Sequence, residues 1–156
     1  MEIRKATNED LPQILEVQKK AFLTEAEIYN NYNLQPLLQT LEELEQEYKL
    51  KNKTFLVLLD DKKIIASVRA EIMDKICSVQ KLVVLPEFHN RGIGKLLMNE
   101  LEKRFSYVKK FELFTGEKSV KNIEFYKKLG YMITRKGYYM DEIHKVFMEK
   151  ENQGVV

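Results

Sequence analysis

The sequence predicts one α/β domain in which a mixed, mostly antiparallel sheet is flanked by helices. Three observations support this prediction. Apolar residues recur at helical spacing between residues 11 and 48, whereas residues 54–85 form apolar runs separated by short charged turns, as in an antiparallel meander. From residue 92 onward, helical and strand patterns alternate. The predicted order of elements is therefore β-α-α-β-β-β-α-β-α-β-β.

Length and composition restrict the class of protein. The chain has 156 residues, of which 44% are hydrophobic and 32% charged, and this suits one soluble domain over residues 1–150 with a frayed tail at 151–156. A net charge of +2 argues against a dedicated nucleic-acid-binding protein. No run reaches the ~18 apolar residues of a membrane span, and the N-terminus lacks the pattern of a signal peptide. Because Cys77 is the single cysteine, no internal disulfide can form, and we expect a cytoplasmic protein.

The N-terminal third is predicted to contain one strand and two helices. Residues 2–6 form the strand, Asp10 caps the first helix, and Pro36 opens the second. A polar segment at residues 25–35 separates the two helices. The apolar positions at helical spacing are Leu11, Ile14, Leu15 and Phe22 in the first helix, and Leu37, Leu41, Leu44 and Tyr48 in the second.

Three consecutive strands are predicted next, at residues 55–59, 64–73 and 76–85. In the middle one, apolar residues alternate with others, so that Ser67, Arg69 and Glu71 fall on a face that we predict to be polar. Further elements are a helix at 92–105, a strand at 111–115, a helix at 119–129 that ends at Gly130, and strands at 131–135 and 146–149. The residues predicted to face inward from the helix at 92–105 are Ile93, Leu96, Leu97, Leu101 and Phe105.

The segment between Val84 and Lys95 has the pattern of a phosphate-binding loop. A strand stops at a proline, a short polar loop follows, and Gly92 and Gly94 open a helix. Helix N-termini present unpaired N–H groups and a partial positive charge, and glycine lets an anion come close to them. Arg91 and Lys95 add positive charge at the same place.

Two common nucleotide-binding loops do not fit this segment. A P-loop needs Ser or Thr where Leu96 stands, and a glycine where His89 stands. A dinucleotide-binding fingerprint needs a third glycine where Leu97 stands, and it normally follows the first strand of a parallel unit rather than a meander.

The run His89-Asn90-Arg91-Gly92-Ile93-Gly94, which follows Val84-Leu85-Pro86, resembles the acetyl-CoA pyrophosphate loop of the GNAT acetyltransferase superfamily. His89 stands where that family usually has Gln or Arg. Residues 119–131 resemble a second motif of the family through Phe125-Tyr126, Gly130 and Tyr131, with Ser119 at the usual Asn position and Asn122 at the usual Ala position. The opening at residues 3–11 is also similar, so the resemblance extends over nearly the whole chain.

The resemblance implies an N-acetyltransferase that moves the acetyl group of acetyl-CoA to a primary amine by direct transfer in a ternary complex. It implies that backbone N–H groups near Val83 and Val84 contact the oxyanion, and that Tyr126 lies beside the cofactor sulfur as the general acid. Ser119 and Asn122 would contact the pantetheine arm or the adenosine end. The residues implied to hold the pyrophosphate are His89, Asn90, Arg91, Gly92, Ile93, Gly94 and Lys95.

The general base is harder to assign. Glu71, on the predicted polar face, is our first choice, acting directly or through water, although pairing with Arg69 explains it equally well. Asp74 and Glu112 are weaker candidates. Cys77 is interpreted as a packing residue, because direct transfer needs no cysteine.

The sequence leaves the acceptor open among a small molecule, a peptide, and a protein N-terminus or lysine. We expect it to meet residues 25–35 and the loop near 136–139, where Glu25 and Glu27 would suit a polyamine. No metal-ligand spacing is visible, and a homodimer is compatible with the sequence. The alternative function is a non-catalytic acyl-CoA-binding regulatory module of the same fold, and a nucleotide-binding protein is a third interpretation.

Overall fold

The structure is a computed structural model that describes residues 1–138 and 144–152. In these residues seven strands form one sheet in the order β1-β2-β3-β4-β5-β7-β6. The strands are β1 (Glu2–Lys5), β2 (Lys53–Asp60), β3 (Lys63–Met73), β4 (Ile76–Val84), β5 (Lys110–Gly116), β6 (Met132–Tyr138) and β7 (His144–Glu151). The helices are α1 (Leu11–Tyr29), α2 (Gln35–Leu38), α3 (Leu41–Tyr48), α4 (Ile93–Arg104) and α5 (Val120–Lys128), with short 3-10 turns at Asn8–Asp10 and Pro86–Phe88.

The sheet is antiparallel except at its centre. Strands β4 and β5 run parallel and pair only between residues 76–78 and 110–112 in the described sheet. The other neighbouring strands pair antiparallel along most of their length. The predicted fold class, a mixed and mostly antiparallel sheet flanked by helices, is confirmed.

The core lies on both faces of the central strands. Every residue of β3 from Ile64 to Ala70 is buried, which requires cover on both sides of the sheet. Helices α1 and α4 both pack against β3 and β4 and supply that cover, and α3 adds to it over β2.

The prediction for residues 25–48 is partly wrong. Helix α1 continues into the polar segment predicted at residues 25–35 as far as Tyr29, and it is followed by Asn30, whose φ of 47° is left-handed. Tertiary contacts support this extension, because Ala26 is fully buried against Leu34 with Tyr29 packed beside them. The second predicted helix is interrupted after Leu38, and Thr40 begins α3 with a reciprocal capping box to Glu43.

Two predictions of side-chain direction are also wrong. The supposed polar face of β3 is buried, with Ser67 4% and Arg69 2% exposed, because α1 and α3 cover it. On α4, Leu96 is 49% exposed, whereas Met98 packs in the core in its place.

The C-terminal strand extends further than predicted. Glu151 still belongs to β7, and the side-chain amide of Asn152 donates to the carbonyl oxygens of Ser106 and Val108. The tail expected at 151–156 thus begins in regular structure, and residues 153–156 lie outside the described part. Of the loop expected near 136–139, residues 136–138 belong to β6 and Tyr139 lies outside the described residues. None of the helices in the described ranges is long and apolar enough to cross a membrane.

Candidate active site

The strands β4 and β5 separate beyond Ser78 and leave a gap at the centre of the sheet. A β-bulge accompanies the separation, since Lys81 and Leu82 together oppose one residue of β3 and Lys81 has a left-handed φ of 49°. Val83 and Val84 follow this bulge and still pair with β3. Among the described residues, their edge toward β5 has no strand partner. Strands β4 and β5 are therefore apart beside Val83 and Val84, where the resemblance implies that backbone N–H groups contact the oxyanion.

The glycine loop joins β4 to α4 as the sequence predicts. Asn90 and Gly92 both adopt left-handed backbone conformations, with φ of 62° and 76°, and Gly92 is the residue that precedes the helix. A Cβ atom on Gly92 would meet nothing within 4 Å, so the loop faces open space at this point. The first N–H groups of α4 lie directly behind it, in the position that favours an anion.

Gly94 brings the two sequence motifs together. A Cβ atom on Gly94 would lie 3.2 Å from Cζ of Phe125 on α5 and 3.8 Å from Cδ2 of Leu82 on β4. The absence of a side chain thus allows the start of α4 to pack closely against both α5 and the bulged strand. As a result, the loop and the helix that carries Tyr126 border the same gap.

The side chains of the loop differ in what they can offer a ligand. Ile93 is buried, so that only its backbone is available. His89 is exposed, and its Nε2 lies 3.0 Å from the carbonyl oxygen of Val84, which fixes the ring against the end of β4. Arg91 lies over the ring of Phe88 at 5.1 Å, and Lys95 is exposed on the first turn of α4.

Tyr126 lies within an aromatic cluster. Its ring makes edge-to-face contacts with Phe125 at 5.1 Å and with Tyr131 at 5.8 Å. Burial, together with the nearby carboxylate of Glu25, raises the pKa of the Tyr126 phenol above its ordinary value. None of the described residues hydrogen-bonds its hydroxyl, which is therefore protonated and available as a donor.

Ser119 and Asn122 are held by a residue that the sequence analysis did not place in the catalytic site. Ser119 Oγ donates to Glu25 Oε2 at 2.5 Å, and Asn122 Nδ2 donates to Glu25 Oε1 at 3.1 Å. The hydroxyl of Tyr29 lies 2.9 Å from Ser119 Oγ and accepts from the backbone N–H of Lys118. These contacts join the end of α1 to the start of α5. No sequence spacing could reveal them, since Glu25 and Ser119 are 94 positions apart.

Glu71 is not brought to the gap. Its carboxylate lies 3.5 Å from Lys53 Nζ and 3.5 Å from Gln80 Nε2. In the β3–β4 register Glu71 pairs with Ser78 whereas Ser67 pairs with Val83, a displacement of about 13 Å at ~3.3 Å per residue. A role for Glu71 as the base would therefore need bridging water.

The other candidates for chemistry lie away from Val83 and Val84 along the strands. Glu112 pairs in register with Ser78, five residues before Val83 on β4 and at the point where β4 and β5 begin to separate, and Asp74 lies in the turn between β3 and β4. The interpretation of Cys77 as a packing residue is confirmed, because it is fully buried and burial raises the pKa of its thiol to about 12. Within residues 1–138 and 144–152, no group of three His, Cys, Asp or Glu side chains is placed to hold a metal ion.

Comparisons with known proteins agree with this geometry. Residues 51–133, more than half of the chain, match the family model of the acetyltransferase (GNAT) domain. The chain therefore belongs to the GNAT acetyltransferase family. No match to a curated protein sequence is significant.

Solved structures share the fold over nearly the whole chain. The PaiA N-acetyltransferase from Thermoplasma acidophilum, in complex with coenzyme A, has a TM-score of 0.81 and 24% identity, covering 96% of this chain and 98% of that one. The ribosomal-protein-S18-alanine N-acetyltransferase from Escherichia coli has a TM-score of 0.79 and 14% identity over 96% and 92%. A mutant of spermidine N-acetyltransferase from Vibrio cholerae has a TM-score of 0.74 and 18% identity, covering 97% of this chain and 95% of that one. At these identities the likeness concerns the fold.

Proposed function

We propose that this protein is an acetyl-CoA-dependent N-acetyltransferase that moves the acetyl group to a primary amine by direct transfer in a ternary complex. The observation that carries the proposal is the contact between Gly94 and Phe125. This contact supports the proposal because the start of α4, which would bind the pyrophosphate, lies close to the helix of Tyr126 and to β4, whose edge has no partner strand there among the described residues. Membership of the GNAT family supports the same chemistry.

The residues around the loop fit the pyrophosphate of acetyl-CoA. The backbone from His89 to Lys95 would hold it, since Gly92 faces open space and the first turn of α4 offers N–H groups. Arg91 and Lys95 would add charge, whereas His89 supports the end of β4. Ser119 and Asn122, at the start of the helix that carries Tyr126, would contact the pantetheine arm or the adenosine end.

Acetyl transfer to an amine requires a stabilised oxyanion and a hydrogen-bond donor for the departing sulfur. The backbone N–H groups near Val83 and Val84 would serve the oxyanion. Tyr126 would serve the sulfur, because its raised pKa keeps the phenol protonated throughout the neutral range. The Tyr126 phenol would therefore donate a hydrogen bond to the sulfur at first. It would transfer its proton only when negative charge develops on the departing sulfur.

The acceptor is proposed to be a primary amine on a small molecule, peptide or protein. The names of two structural neighbours refer to an alanine of a ribosomal protein and to spermidine, which gives two classes of acceptor to test.

We further propose a cytoplasmic location, consistent with the buried, unpaired Cys77. We also propose a homodimer as the assembly, which size-exclusion chromatography with light scattering would check.

The deciding experiment measures release of free thiol from acetyl-CoA with a panel of amines, alongside calorimetric binding of acetyl-CoA. The panel would contain spermidine, an alanine-initiated peptide, a lysine peptide and a low-pKa aromatic amine. Thiol release that depends on an amine supports the enzyme. Tight binding without turnover of any amine would favour the non-catalytic acyl-CoA-binding module, and absence of binding would exclude both.

A further inference from the structure

The carboxylate of Glu25 is fixed in place on the wall of the proposed site. It projects from the last turns of α1 and receives one hydrogen bond on each oxygen, from Ser119 and from Asn122. A carboxylate oxygen can accept two hydrogen bonds, so each oxygen keeps acceptor capacity for a further donor. Because Asn122 and Tyr126 are four residues apart on α5, Glu25 lies about one helical turn from the proposed acid.

The donors around Glu25 form a directed chain. The backbone N–H of Lys118 donates to the Tyr29 hydroxyl, which leaves that hydroxyl free to donate to Ser119 Oγ, and Ser119 in turn donates to Glu25. Every hydroxyl in this chain points its proton toward the carboxylate. The arrangement therefore fixes the orientation of the Glu25 carboxylate.

Three other partly buried carboxylates have a lysine as ion-pair partner. Glu47 and Glu71 both pair with Lys53, and Glu102 pairs with Lys150. In the described part of the chain, no lysine, arginine or histidine forms an ion pair with Glu25. Its described titratable neighbours are the phenols of Tyr29 and Tyr126, whose pKa values are raised by burial and further by the charge of Glu25. A cation supplied by a ligand would complete this site.

On the basis of the acetyl transfer proposed above, we propose that Glu25 binds the protonated acceptor amine and removes its proton before transfer. The expected acceptor is an aliphatic amine that is an ammonium ion at neutral pH. One proton passes from the ammonium nitrogen to Glu25, which frees the nitrogen lone pair to form the C–N bond to the acetyl carbonyl carbon. When the C–S bond breaks, the sulfur takes a proton from Tyr126, and the second proton of the nitrogen returns to the Tyr126 oxygen. Glu25 then releases its proton to solvent.

The two proton transfers assist each other. The negative charge of Glu25 is one of the causes of the raised Tyr126 pKa. Once Glu25 has accepted a proton, that charge is gone, and Tyr126 gives up its own proton more readily. Transfer of a proton from the amine to Glu25 therefore makes Tyr126 a better proton donor for the departing thiolate.

The experiment compares Glu25→Gln with the wild type as a function of pH and of acceptor pKa. Glutamine keeps the size of the side chain and one oxygen acceptor, but it can neither take a proton nor attract an ammonium ion. For an aliphatic amine at pH 7, we expect kcat/KM to fall by about 10²-fold or more. The deficit should shrink as the pH rises toward the pKa of the amine, because the neutral amine then forms without a base. For an aromatic amine that is already neutral at pH 7, the variant should act within about threefold of the wild type.

A matched control is Glu16→Gln, an exposed position on the same helix outside the acceptor segment, which should leave the turnover of both acceptors unaffected. A loss in Glu25→Gln that is equal for both amines and constant with pH would overturn the proposal and assign Glu25 a purely structural role. If circular dichroism shows that Glu25→Gln does not fold, Glu25→Asp provides the test. It retains the carboxylate and should lose activity while keeping the wild-type pH profile and preference between the two amines, and a changed preference would count against the proposal.

The two proposals fail in different ways. Wild-type protein that binds acetyl-CoA and acetylates no amine contradicts the proposed function. If the wild type acetylates an amine and Glu25→Gln loses the same activity with both amines at every pH, only the role of Glu25 is contradicted.

Discussion

Gly94 and Phe125 lie so close that a single methyl group on Gly94 would come within 3.2 Å of Phe125 Cζ. This contact connects the phosphate-binding end of α4 to the helix that carries Tyr126. It also favours a glycine at this position because of the limited space beside Phe125, whereas at Gly92 the left-handed backbone favours glycine.

Gly94→Ala should therefore weaken acetyl-CoA binding. The added methyl group must displace Phe125 by a few tenths of an ångström, which costs about 1–2 kcal/mol of folding stability. Because the displacement also shifts the start of α4, we expect the Kd measured by calorimetry to rise by about tenfold. The smaller side chain of Phe125→Leu should restore most of the affinity in the double variant. If Gly94→Ala bound as tightly as the wild type, the close contact would not matter for the site.

Tyr126→Phe should lower kcat by about 10²-fold while leaving the Kd for acetyl-CoA unchanged, because only a proton donor is removed. Tyr131→Phe is the matched control on the adjacent ring. Its hydroxyl donates to Glu102 at 3.0 Å, so its loss should cost about 1 kcal/mol of unfolding free energy with kcat near the wild-type value. Equal loss of kcat in the two variants would remove Tyr126 from the proton transfer.

The cluster around Arg69 should respond asymmetrically to substitution. The guanidinium is buried, donates from Nη2 to Gln18 and lies 3.3 Å from Glu47, yet its Nε and Nη1 have no hydrogen-bond partner among the described residues. Arg69→Met should change the free energy of unfolding by less than about 1 kcal/mol, whereas Glu47→Gln should cost about 3 kcal/mol because a buried cation loses its counter-charge. Urea denaturation measures both, and similar losses would contradict this account.

Lys81 should make stability depend on pH in the alkaline range. Its pKa is lowered to about 8, first by burial and then by Arg69 and Lys53, whereas Glu47 and Glu43 oppose the shift. Between pH 8 and 10.5 the unfolded chain holds a proton that the folded chain has lost, so stability rises with pH across this window.

Lys81→Met should consequently be more stable than the wild type below pH 8, by on the order of 2 kcal/mol after allowance for partial exposure. That advantage should disappear as the pH approaches 10.5 in urea titrations. Lys51→Met, at an exposed position, controls for removal of a positive charge. An advantage for Lys81→Met that is independent of pH would show that packing and not charge is the cause.

The sequence was sufficient to predict the fold class, because strand and helix periods are local properties. It was also sufficient for the loop at Gly92, since the backbone conformation there follows from the glycine itself. It could not predict that Arg69 is buried, because alternation within β3 does not reveal that helices cover both faces of the strand, with α1 and α3 over Arg69. The sequence indicated Glu25 as a residue near the acceptor, but it could not predict the hydrogen bonds of Glu25 with Ser119 and Asn122, because α1 reaches Ser119 only through tertiary packing.

The short pairing of β4 with β5 has a mechanical consequence. With only residues 76–78 and 110–112 paired in the described sheet, two sub-sheets, β1–β4 and β5–β7–β6, meet across a narrow junction. Opening of the junction breaks few hydrogen bonds and can occur without global unfolding. Amides of β4 beyond Ser78 should therefore exchange with deuterium faster than those at the centre of β2, and a ligand that fills the gap should join the two sub-sheets into one cooperative unit.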